Sequence, residues 1–244
     1  TTTAVNLSAL LGAMGQRVLM IDLDPQGNTT SGLGMEVDDK SIYEVIMGRM
    51  KLTDVMEETE FKNLSIAGSD VRLANAELEL VEVEKREYRL KTAVQSVQQD
   101  FDFIFIDCPP SLGLLTINAL GAADSVLIPI QCEYYALEGV ASLMNTISRV
   151  KKTINPHLEI EGVLLTMLDG RTNLGLQVVD EVKKHFKKQV YATVIPRSVR
   201  LGEAPSHGEP IHVYDKRSAG CVAYVNLAKE ILKRNNIKVK EFKL

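Results

Sequence analysis

Val18-Leu19-Met20-Ile21-Asp22-Leu23-Asp24-Pro25-Gln26-Gly27 and Phe103-Ile104-Phe105-Ile106-Asp107-Cys108-Pro109-Pro110 follow the same pattern: four apolar residues, an aspartate, then a loop stiffened by proline. A short apolar run that Pro or Gly brings to a stop predicts a strand buried on both faces. Asp22 and Asp107 then emerge together at one edge of a sheet. In open α/β sheets the crevice beyond the strand carboxyl ends is where ligands sit. A carboxylate pair there suits a metal-bound phosphate. A single aspartate at such a place can also do no more than end a strand or cap the next helix; two in matching settings weaken that alternative.

Outward from these stretches, helical spacing covers residues 5–14, 42–47, 73–97, 114–122, 137–150, 176–186 and 222–232. Strand-like runs lie at 18–21, 64–66, 103–106, 125–130, 160–167 and 193–195, with 211–214 a weaker candidate. Alternation of this kind predicts an α/β fold, a mostly parallel twisted sheet flanked by helices on both faces. The charged stretch 71–99 reads as two helices that cross over between the Asp strands, or as a partner-binding surface. No linker, repeat or low-complexity tract interrupts the chain, and 244 residues with 45% hydrophobic content suit one domain spanning 1–244.

Three cysteines, Cys108, Cys132 and Cys221, form no CxxC pair and make an odd count, which argues against a disulfide framework and for a reducing cytoplasm. The four histidines have no ligand spacing. No apolar run approaches the ~18 residues of a membrane span. Charge is divided unevenly. Residues 1–148 hold 10 Lys+Arg against 22 Asp+Glu, a net −12, while 149–244 hold 18 against 10, a net +8. That split allows one face to attract a polyanion; it is equally consistent with a solvated surface.

The chain opens Thr1-Thr2-Thr3-Ala4-Val5-Asn6-Leu7 and runs directly into a helix. A helix N-terminus offers unpaired amides and a dipole to phosphate, and a Thr hydroxyl can ligate Mg²⁺. Together with residues 17–27 (RVLMIDLDPQG) and 105–115 (FIDCPPSLGLL), this opening resembles the deviant Walker A P-loop ATPases of the MinD/ParA group. Residues 131–139 (QCEYYALEG), 162–175 (GVLLTMLDGRTNLG) and 195–208 (IPRSVRLGEAPSHG) are similar to the ParA or Soj chromosome-partitioning ATPases. Six blocks in the right order span nearly the whole chain.

The resemblance implies a P-loop ATPase binding ATP and Mg²⁺. Thr1 would ligate the metal, with Thr2 beside the phosphates. Asp107 would be the Walker B carboxylate, Asp22 would stand behind the metal, and Asp24 would orient the attacking water. Segments 26–28 and 109–113 would sense the γ-phosphate, while Met167, Pro196 and Arg197 would enclose adenine. The family's lysine-bearing loop, Lys-Gly-Gly-x-Gly-Lys, precedes the first Thr, and this chain starts at that Thr. The expectation is therefore an N-terminally truncated sequence, lacking the first strand and most of the P-loop. The sheet would be split by a gap of roughly 10 Å, fold poorly, and not hydrolyse ATP alone.

The family further implies an ATP-bound homodimer that binds double-stranded DNA without sequence preference and is switched off when a ParB-type centromere-binding protein stimulates hydrolysis. This implies a cytoplasmic, nucleoid-associated protein. Arg171 and Arg200 match the family's DNA-binding arginines, with Lys183, Lys184, Lys187 and Lys188 extending the basic face. Three alternatives carry less weight. A MinD-like membrane-associated regulator of cell-division position needs an amphipathic C-terminal helix, whereas Ile237, Val239, Phe242 and Leu244 approach alternation, so no stable membrane association is expected. An iron–sulfur protein would need Cys108 and Cys132. A catalytically dead fragment would act only as an interaction module.

Overall fold

The computed structural model describes residues 1–133, 136–238 and 242, without the side chains of 136–138. Seven described strands, β1 (Val18–Asp22), β2 (Met56–Glu58), β3 (Leu64–Ala67), β4 (Phe103–Asp107), β5 (Ser125–Gln131), β6 (Glu159–Leu168) and β7 (Val190–Pro196), form two sheets. Their orders are β2-β3-β1-β4 and β5-β6-β7. Every described pairing is parallel except β2 with β3. The mostly parallel α/β architecture is as expected, and the sheet is divided between β4 and β5, each the last strand of its own sheet.

Helices hold the two sheets together. On one face the opening helix Thr2–Ala13 and the C-terminal helix Ala219–Arg234 share a core with Val18, Met20, Leu64 and Ile66 of the first sheet and Leu164, Tyr191 and Ile195 of the second. On the other face helix Leu114–Ala122 bridges the division: Leu115 and Ala119 pack with the first sheet and Leu120 with the second. Burial of about 25 cal/mol per Å² of apolar surface is what such helices supply where strand pairing is interrupted. Gly12 sits where the opening helix runs close to the β2–β3 turn, and a Cβ there would lie 2.4 Å from the Lys62 carbonyl.

Burial on both faces holds for β1, every residue of which is buried, but not for β4, whose four apolar residues are only half-buried. The reason is position, since β4 ends its sheet. The outer edge of β7 is covered instead by a side chain: the Glu230 carboxylate accepts the amides of Ala192 and Thr193 at 2.9 and 3.0 Å, which blunts an edge open to unwanted pairing.

Two expectations need correction. Residues 71–99 form not two long helices but four short pieces, the α-helices Ala76–Glu79 and Arg89–Gln95, each preceded by a 3-10 turn, Val71–Asn75 and Arg86–Tyr88. Val71, Leu78 and Val81 are exposed and Lys85 takes a left-handed φ of 54°, so no continuous apolar stripe supports a long helix. Residues 211–214 are a helical turn, Ile211–Tyr214, not a strand. Pro210 fixes the entry, and Asn6 Oδ1 accepts the Ile211 N–H at 2.6 Å. Strand β2, short and mostly polar, escapes a hydrophobic pattern altogether. In the tail the helix ends at Arg234, and Val239 and Leu244 lie outside the described residues, as do Tyr134 and Tyr135. Among the described residues no helix is long and apolar enough to cross a membrane.

Candidate functional site

Parallel pairing of β1 with β4 ends on Asp22 opposite Asp107. The two carboxylates are nearly inaccessible, with Asp22 fully buried and Asp107 8% exposed. Each is satisfied by hydroxyls. Asp107 Oδ2 accepts from Thr1 Oγ1 at 2.8 Å and from Thr29 Oγ1 at 2.6 Å. Asp22 Oδ2 accepts both the amide and the hydroxyl of Thr30, at 2.9 and 2.7 Å, while its Oδ1 accepts the Asp24 amide at 3.1 Å. Burial pushes the Asp22 carboxyl above its ordinary range; the bonds from Thr30 and Asp24 oppose this, and the nearby charge of Asp107 adds to it.

Asp24 closes the next turn: its Oδ1 accepts the Gln26 amide at 3.0 Å and its carbonyl accepts Gly27 N–H at 2.9 Å. Gly27 has a left-handed φ of 64° and leads into the short helix Asn28–Gly32. Beside this helix lies a cavity of about 290 Å³ lined by Thr1, Thr2, Asn6, Asn28, Ser31 and Pro205, among others. It draws the helix N-terminus, the loop after β1 and the segment after β7 together.

The donor set fits magnesium. Mg²⁺ takes one or two protein oxygens and otherwise keeps waters and phosphate oxygens, so it needs no all-protein cage. Thr1 gives its proton to Asp107, which leaves its oxygen lone pairs free for a cation.

Of the residues singled out from sequence, Thr1, Asp22, Asp24 and Asp107 come together, and Thr1 and Thr2 line the adjoining cavity. Met167, Pro196 and Arg197 stand apart from that wall, at the ends of β6 and β7. Met167 has a left-handed φ of 56°, and the Arg197 amide donates to the Leu168 carbonyl at 3.0 Å. Arg197 also pairs with Glu133. Arg171 and Arg200 are exposed but not idle. Arg171 grips Asp169 through its backbone and guanidinium, holding that carboxyl well below its usual range. Arg200 pairs with Glu203 at 2.9 Å and Asp215 at 3.4 Å. The four lysines at 183, 184, 187 and 188 are exposed.

Sequence reasoning missed Thr29 and Thr30, which bind both carboxylates. The visible signal was two hydroxyls in a row, directly after the Asp-Pro-Gln-Gly-Asn turn. The iron–sulfur alternative finds no support in the thiols. Burial, with help from Asp107, pushes Cys108 up to about 12, and its Sγ faces the Ile106 carbonyl; Cys132 is buried.

A fold of this shape with an acidic, hydroxyl-lined edge defines a class, and residues 1–160 match the AAA domain family: the chain belongs with the P-loop ATPases. Its relatives narrow this further. It is 58% identical to sporulation initiation inhibitor protein Soj of Bacillus subtilis (strain 168), over 95% of this chain and 92% of that protein. It is 50% identical to chromosome partitioning protein ParA of Myxococcus xanthus (strain DK1622), over 98% of this chain and 85% of that protein. The chain belongs to the Soj/ParA family of chromosome-partitioning ATPases. The fold is also that of cobyrinic acid a,c-diamide synthase from Mycobacterium smegmatis, solved with bound ADP and magnesium, at a TM-score of 0.82 and 35% identity, covering 97% of this chain and 91% of that one. One fold serves several named activities, so family membership rests on the sequence relatives.

Proposed function

We propose that this protein, as its gene encodes it, is a cytoplasmic, nucleoid-associated Mg-ATPase of one domain that dimerises on ATP, holds DNA without sequence preference as the dimer, and lets go after a ParB-type partner stimulates hydrolysis. The observation that carries the reading is the Thr1–Asp107–Thr29 contact at a helix N-terminus, with Asp22 in register beside it.

In this reading Thr1 and Asp107 would hold magnesium, and Thr2 and the helix amides would face the phosphates. Bound magnesium offsets the charge that develops on the transferred phosphoryl group. Asp24 orients the attacking water with the carboxylate oxygen that the Gln26 amide leaves free. Asp22, boxed in by Thr30 and the Asp24 amide, fixes where that loop sits. Met167, Pro196 and Arg197 contact the base. Arg171 and Arg200 exchange their carboxylate partners for DNA phosphates, a contact that carries no sequence information.

Light scattering with ATP and magnesium, with ADP and magnesium, and with ATP and EDTA tests the reading. A doubled mass with ATP and magnesium alone is expected. The same mass in all three overturns the switch.

A further inference from the structure

Thr29 and Thr30 are neighbours on one helical turn, yet they bind the ends of different strands. Thr29 Oγ1 donates to Asp107 at the end of β4; Thr30 donates its amide and its hydroxyl to Asp22 at the end of β1. The Thr30 oxygen also accepts the Ser69 amide, just past β3, at 3.0 Å. Helix Asn28–Gly32 is thereby fastened to three adjacent strand ends. Thr29 is fully buried and Thr30 is 4% exposed, so neither hydroxyl can turn to solvent instead. A buried donor that loses its acceptor costs on the order of 1–3 kcal/mol, which makes the helix follow its acceptors.

Asp107 Oδ2 accepts two hydroxyls, one from Thr1 and one from Thr29. A cation drawn to Thr1 and Asp107 acts on the same carboxylate that Thr29 holds. We propose that Thr29 and Thr30 are positioning residues forming a two-point latch, by which the metal state of Asp107 sets the position of the loop carrying Asp24. The inference rests on the ATPase reading for its cation and on the hydrogen bonds for the latch. In it, Thr29 is the arm that senses and Thr30 the pivot that keeps the helix on β1 and β3. Loop 24–28 runs from Asp22 at the end of β1 directly into Thr29, so a shift at Asp107 is passed through Thr29 to the turn that Asp24 closes.

Hydrogen exchange of the amides at 24–32, read together with fluorescence of a labelled ADP, tests this in wild type, Thr29→Val and Thr29→Ser. Without nucleotide, Thr29→Val should speed exchange at 27–32 at least several-fold while Thr29→Ser stays near wild type. With labelled ADP, Thr29→Val should raise the magnesium concentration at half-saturation about 10-fold to 100-fold, the cost of losing an outer partner of a metal ligand, and Thr29→Ser should restore it. In wild type, magnesium with ADP should slow exchange at 27–32 relative to ADP with EDTA, a comparison that needs no variant to fold. Equal exchange in those two states, or a Thr29→Val protein matching Thr29→Ser, overturns the latch. If labelled ADP does not bind wild type, the ATPase reading fails, and the latch stands or falls on the nucleotide-free exchange of the two variants.

Discussion

Asp22 and Asp107 are the last register pair of two parallel strands, and consecutive threonines of one short helix divide their hydrogen bonds between the two carboxylates. Two carboxylates side by side and buried remain tolerable because each has donors, hydroxyls and amides, to share its charge. The same crowding invites a cation. From this pair the site extends to Asp24 on one side and to Thr1 on the other.

Asp24→Ala should stop turnover while leaving ATP-dependent DNA binding in place. Loss of a group that positions the nucleophile is expected to lower the steady-state rate by about 100-fold or more, measured by phosphate release. If DNA binding disappears as well, Asp24 serves the structure of its turn rather than the chemistry.

Arg200→Ala should weaken binding to all duplex sequences alike and flatten the slope of log affinity against log salt by about one unit. Glu203→Gln should do the reverse, because Glu203 is one of the two anions that occupy Arg200. An exposed pair of this kind holds only weakly, so the gain in affinity should be no more than about fivefold. A sequence-dependent change in either variant, seen across random and defined duplexes, would contradict a phosphate contact.

Much of this was readable in the residues themselves. Strands β1 and β4, their terminal aspartates and the flanking helices follow from apolar runs closed by proline, which is a local signal. The latch threonines were not readable, because their partners are 78 and 8 residues away and Ser and Thr are ordinary helix-start residues. Segment 71–99 misled for the opposite reason: its apolar residues have helical spacing, but Val71, Leu78 and Val81 face solvent. Ile211-His212-Val213-Tyr214 alternates as a strand does, and the turn it makes follows from Pro210 at its entry and the distant Asn6 that accepts the Ile211 amide.

His212 carries the clearest pH signature. Burial lowers it to about 4, Lys216 adds to this, and its buried Nδ1 has no hydrogen-bond partner among the described residues. The unfolded chain therefore binds a proton near pH 6.5 that the folded chain refuses until about pH 4, so stability falls as pH drops through that window. At 1.36 kcal/mol per unit the loss is up to about 3 kcal/mol. Urea midpoints from pH 7 to 4 should fall more steeply for wild type than for His212→Gln; parallel curves would assign the acid sensitivity to other groups.

Gly34 and Gly208 touch backbone to backbone with φ of 69° and 65°, and a Cβ on Gly208 would lie 2.6 Å from the Gly34 Cα. Gly208→Ala adds that clash to a left-handed conformation that alone costs about 1–2 kcal/mol. A loss above about 2 kcal/mol in denaturant unfolding is expected. An unchanged midpoint would mean the two loops separate freely.

The most direct test of the account is filter binding of the protein, as its gene encodes it, to random duplex DNA, with ATP and magnesium and with ADP and magnesium, over a salt series. The account predicts retention with ATP and magnesium, a steep decline with salt, and little retention with ADP. Equal retention with both nucleotides would show that the carboxylate and threonine crevice does not govern the DNA-binding face.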